Sequence, residues 1–124
     1  RLLRIAKRDL KAAQRNLDDD PDWAYSMAYN ALLQASRAVI LSEGYRPRGP
    51  EQHATVVAFI REKFQVTNPT LSDFFDQMRR KRHRLIYETV GLVSRTETQQ
   101  VIVQTKGYLD ILKKIIEHQP DLGL

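Results

Sequence analysis

Stretches of this sequence set apolar or small residues at alternating steps of three and four, and that spacing commits the chain to helices. Leu3, Ala6, Leu10, Ala13 and Leu17 form one stripe, and Ala24, Ala28, Ala31, Ala35 and Ala38 a second. Leu71, Phe75, Met78, Arg82 and Leu85 form a third, and Val101, Thr105, Tyr108, Leu112 and Ile115 a fourth. At about 100° per residue, such positions share one face of an α-helix. No stretch of useful length alternates with the period of a strand. The predicted helices run over residues 2–17, 22–42, 50–64 (a short one), 69–88 and from 95 onward. Joined by tight connections, they predict one all-α domain over residues 1–124. Its expected form is an antiparallel up-and-down four-helix bundle with one additional short helix.

The boundaries have their own chemistry. Asp18-Asp19-Asp20-Pro21-Asp22 breaks the first helix and opens the second, where carboxylates meet the positive end of the helix dipole. The aspartates lack the alternate spacing and downstream glutamate of a calcium loop, so no metal site is expected. The second helix is apolar around most of its circumference and should be the most buried, with Trp23 and Tyr29 as packing residues. Gly44 stops it, and residues 43–51 form a loop carrying Arg46 and Arg48. Pro50 opens the short helix, and His53 near its start reads as an exposed or capping histidine. Asn68-Pro69 caps the next helix. Ser94 and Glu97 make a capping box for the last, in which Gly107 would allow a close helix approach. Pro120 and Gly123 end the ordered chain.

Charge and composition bound the partners. The 20 Lys and Arg against 15 Asp and Glu give a net charge of +5, which favours anionic partners: nucleic acid, nucleotides or an acidic protein. With no cysteine there is neither a disulfide scaffold nor thiolate chemistry, and a reducing cytoplasm is the expected compartment. No apolar run approaches the roughly 20 residues that span a bilayer, so no membrane is expected. The chain begins at Arg1 rather than Met and shows no signal-peptide pattern there.

The densest positive charge lies in Met78-Arg79-Arg80-Lys81-Arg82-His83-Arg84-Leu85-Ile86-Tyr87. Arg82 falls in the apolar seam, a costly place unless its guanidinium is paired or reaches a wet cleft. Arg79, His83 and Tyr87 recur at every fourth position and stack along an adjacent strip. A cation, an imidazole and a phenol on one strip suit a phosphate and a nearby hydroxyl. The bland alternative is a solvated basic face, with Arg82 tying helices together. Arg79, Arg80 and Arg82, with Arg46 and Arg48 from the loop, are the expected phosphate-binding set.

The order of helices, the segment Glu43-Gly44-Tyr45-Arg46-Pro47 before Glu51-Gln52-His53, and above all Arg82-His83-x-x-x-Tyr87 resemble the HEPN domain, the higher eukaryotes and prokaryotes nucleotide-binding domain, in its small stand-alone prokaryotic form. Nearly the whole chain takes part in the resemblance. Nucleases of this family carry an arginine, usually a polar residue after it, and a histidine further along the helix. Arg82 takes the arginine position, His83 the polar one, and Tyr87 stands where the histidine belongs. The resemblance implies metal-independent RNA cleavage in a cleft between two subunits, with Arg82, His83 and Tyr87 as catalytic residues and no cofactor. A tyrosine, with an unperturbed pKa of about 10, is a poor general base. The favoured expectation is therefore a non-catalytic module of a toxin–antitoxin-like system. It would bind a nucleotide or RNA phosphate, or dock a nucleotidyltransferase-type antitoxin, as a homodimer. A metal-independent endoribonuclease toxin is the first alternative, and a purely structural helical dimer the second.

Overall fold

A computed structural model describes residues 1–46, 52–88 and 90–118. Among them the chain is all-α, with helices α1 (Leu2–Asn16), α2 (Pro21–Ser42), α3 (Gln52–Phe64), α4 (Pro69–Tyr87) and α5 (Arg95–Glu117) and no strand. The expected opening of α3 at Pro50 lies outside the described residues.

α2 is the organising element, packed against each of the other four helices, and α3 and α4 also pack on each other. Its alanines explain this. Ala24, Ala28, Ala31 and Ala35 are fully buried, and their small side chains let neighbouring helices approach. Tyr29, Leu32, Val39 and Ile40 fill the space between. Ala6, Leu10 and Ala13 face inward from α1, Val56 and Ile60 from α3, and Leu71, Phe75 and Met78 from α4. On α5 the buried line passes through Val101, Ile102, Thr105, Leu109 and Leu112, and the expected seam residues Tyr108 and Ile115 are only partly buried. Burying each large side chain contributes roughly 1.5–3 kcal/mol.

The termini differ in part from expectation. Asp20 caps α2, its Oδ1 accepting from the Trp23 amide at 3.1 Å. Asn68 occupies the N-cap of α4, yet its Oδ1 accepts from the Thr70 hydroxyl at 3.0 Å rather than from a helix amide. Ser94 accepts from the Glu97 amide at 3.0 Å, but the Glu97 carboxylate turns to Lys81 on α4, so only half of the capping box forms. Gly91, at φ +76°, makes the turn between α4 and α5. Its amide donates to Asp22 Oδ2 at 2.7 Å, and Asp18 pairs with Arg95. The acidic cluster therefore ties the start of α2 to this connection and to α5, not to the arginines of α4. Trp23 is 53% exposed and is not a packing residue. Among the described residues nothing lies near enough to Gly107 to meet a Cβ, so close helix approach does not explain it. Among the described residues no helix is long and apolar enough to cross a membrane.

Candidate functional site

The basic residues of α4 divide among three environments. Arg82 turns inward. Its guanidinium carbon lies 5.3 Å from the centroid of the Tyr29 ring, and its Nε is buried with no hydrogen-bond partner among the described residues. The π-face of Tyr29 offsets part of that desolvation. Arg82 makes no ion pair among the described residues, so its positive charge is not neutralised there.

Helices α2 and α3 complete the surroundings of Arg82. The Tyr29 hydroxyl lies 3.0 Å from His53 Nδ1, and Arg37 donates to Gln52 Oε1 at 3.1 Å. Arg79, one turn before Arg82, donates from Nε and Nη2 to Asp76 Oδ1 at 3.1 and 2.9 Å. Asp76 also holds Arg80, through Oδ2 at 2.9 Å.

The electrostatics follow from this packing. Burial pushes the Tyr29 phenol up to about 12, against the opposing pull of Arg82, Arg79 and Arg37. Burial first, then the charges of Arg82, Arg37 and Arg79, hold His53 below its ordinary value of 6.5. At neutral pH the phenol therefore keeps its proton and the imidazole is neutral. Tyr29 is fully buried, so its hydroxyl hydrogen needs an acceptor, and Nδ1 supplies one. With Nδ1 accepting, the ring proton resides on Nε2. His53 is thus oriented as a donor. Arg37, Arg82 and His53 present donors from three helices, with Asp76 the neighbouring carboxylate and already shared between Arg79 and Arg80. A set of donors short of counter-charge is suited to an anion. The described residues contain no group of three His, Asp or Glu side chains that could hold a metal ion.

His83 and Tyr87 form the second environment. Their rings touch in a tilted arrangement at 4.7 Å between centroids, and both residues are exposed, Tyr87 at 73%. They do not share the surroundings of Arg82, so the expected trio of Arg82, His83 and Tyr87 is not assembled within one chain. Helical geometry accounts for this, because one residue rotates the side chain by about 100°.

The third environment is a groove of about 510 Å³ between α4 and α5, lined by Arg80, Lys81 and Arg84 with Gln77, Gln100 and Gln104. Arg80 accordingly faces away from Arg82, which divides the expected phosphate-binding set. Arg46 is exposed just beyond α2, and Arg48 lies outside the described residues.

Sequence reasoning read Tyr29 as a packing residue and His53 as an exposed or capping one, and did not single out Arg37 or Gln52. One signal was available, since Arg37 is the single charged side chain of α2 after Asp22. His53 had no such signal, because its relation to Arg82 exists only once α3 packs on α4.

Searches among curated proteins and among solved structures found no significant match. The model of the HEPN domain family matches residues 1–115, over helices whose order and basic stretch are those described above, and the chain belongs to that family.

Proposed function

We propose that the chain is a non-catalytic module that binds the phosphate of a nucleotide or of RNA at the centre formed by Arg82, Arg37 and His53. One observation carries this reading: two guanidiniums from different helices, Arg37 and Arg82, flank a neutral imidazole with no carboxylate paired to either among the described residues. Water is a poor substitute for a counter-ion at a half-buried cation, whereas a phosphate satisfies several donors at once. His53, donating from Nε2, adds a neutral contact. The expected setting is a homodimeric, up-and-down helical bundle that docks a nucleotidyltransferase-type partner. Family membership supports that setting, as do the packing of α2 on every other helix and the exposed end of α4.

The test is a titration of short single-stranded RNA and of nucleotides at increasing salt. Binding should weaken steeply with salt and fall about tenfold or more in Arg82→Met, since a charge-assisted contact contributes roughly 1.5–3 kcal/mol. Binding unchanged in Arg82→Met and in Arg37→Met would refute the site.

A second reading, metal-independent RNA cleavage, is favoured by a single feature. His53 supplies an acid–base group within reach of the Arg82 charge, which Tyr87 does not. His53 would deliver a proton to a leaving oxygen only from its imidazolium form, which its lowered value confines to acidic pH, while Arg82 stabilises charge on the phosphorus. Cleavage that survives EDTA and is lost in both Arg82→Met and His53→Gln would establish it.

A further inference from the structure

Helices α1 and α5 line an open cavity of about 240 Å³. Its floor is apolar: Leu10 and Leu109 are buried there, and Leu3 is partly buried. Its rim is cationic, with Lys7 and Lys11 from successive turns of α1 facing Lys106 and Lys113 from α5. Asp110 is the one carboxylate among the lining residues. Lys113 reaches Glu117 at a loose 3.8 Å, and Lys7, Lys11 and Lys106 make no ion pair among the described residues.

A solvated basic face does not require this arrangement. Lysines on an open surface spread apart, because like charges repel. Lys7 is exposed at the rim and half-buried Lys113 lines the same cavity beside it. Contact with Lys113, and then that ammonium's charge, hold Lys7 below the usual lysine range, against the opposing pull of Glu117 and Asp110. An anion placed between them would remove the repulsion. The apolar floor adds a second requirement, since inorganic phosphate or sulfate would leave the leucines facing water. A cavity of this size lies just under the roughly 300 Å³ at which pockets for drug-sized ligands begin.

We infer that the cavity between α1 and α5 is a binding site for a small amphiphilic anion, with an aromatic ring or short acyl chain against Leu3, Leu10 and Leu109 and a phosphate or carboxylate between Lys7 and Lys113. The site shares no residue with the Arg82 centre. Its occupancy is independent of the function proposed above.

The experiment is a calorimetric titration of the full chain with phenyl phosphate, octanoate, inorganic phosphate and benzyl alcohol, repeated in Lys7→Gln/Lys113→Gln, Asp110→Asn and Arg82→Met. Phenyl phosphate or octanoate should bind at least tenfold more tightly than inorganic phosphate or benzyl alcohol. The double lysine variant should lose that binding by tenfold or more. Asp110→Asn should tighten it severalfold by removing the competing carboxylate, and Arg82→Met should leave it unchanged. Equal binding of inorganic phosphate in Arg82→Met, where the Arg82 centre no longer contributes, would overturn the inference, as would amphiphile binding that ignores the lysine changes or disappears in Arg82→Met. An acidic amphipathic peptide that binds where neither small amphiphile does would overturn it as well, by showing a protein-docking face instead. Circular dichroism melting of each variant confirms that a loss reflects binding and not unfolding.

Discussion

Arg82 and His83 are adjacent in the chain and sit on the same helix, yet they belong to different parts of the molecule. Arg82 points at a fully buried tyrosine, has a buried Nε without a partner among the described residues, and shares its surroundings with side chains from α2 and α3. His83 points outward and touches Tyr87, itself largely exposed. A motif read along the chain joins these residues, but the turn of the helix separates them. A chemical constellation in a helical domain is therefore assembled across helices. The imidazole that answers Arg82 is His53 of α3, not its neighbour on α4.

The comparison is sharpest in stability. Tyr29→Ala removes a fully buried aromatic together with the partner of His53 and Arg82, and should cost about 3–5 kcal/mol in urea unfolding. Tyr87→Ala removes an exposed one and should change stability by no more than about 0.5 kcal/mol. Similar costs for the two would mean that the two faces of α4 are not distinct. Affinity gives the next contrast. Arg82→Met should weaken RNA or nucleotide binding about tenfold or more, while His83→Ala should change it less than about twofold, because one is a charge-assisted donor and the other is not placed with it.

Asp76 offers a change in the opposite direction. It holds Arg79 and Arg80 and lies beside the centre, so Asp76→Asn should raise anion affinity a fewfold while costing about 1 kcal/mol of stability. A loss of affinity would show that Asp76 orients the arginines rather than competing for them. The smallest effect is the pH dependence. His53 is held below its ordinary 6.5 in the folded chain, so between that lower value and 6.5 the unfolded chain binds the extra proton. Its contribution to stability is thus complete above 6.5 and declines as the pH falls below it. His53→Gln should flatten that acid-side slope, measured as Tm against pH, and His83→Ala should not.

The fold was largely legible because helical periodicity is a local property. The stripes of α1, α2 and α4 are buried for most of their length, with Leu3, Ala38, Arg82 and Leu85 only partly so, and Asp20 caps α2. Misreadings arose where a side chain chose a partner distant in sequence. Glu97 reaches Lys81 in place of its own N-cap. The same reason limits the candidate site. Arg82 stood out as a cation in an apolar seam, and the structure keeps it there. Tyr29 and His53 are separated by 24 residues and meet only through the packing of α2 with α3, which no spacing rule encodes.

The most direct test of the central claim is one titration of fluorescently labelled single-stranded RNA, with EDTA present, against wild type, Arg82→Met, His53→Gln and a His83→Ala/Tyr87→Ala double variant. The account predicts salt-sensitive binding that falls about tenfold or more in Arg82→Met, falls by less in His53→Gln, and survives in the double variant. Binding that survives in Arg82→Met and is lost in the double variant would contradict it, and would move the site to the exposed face of α4.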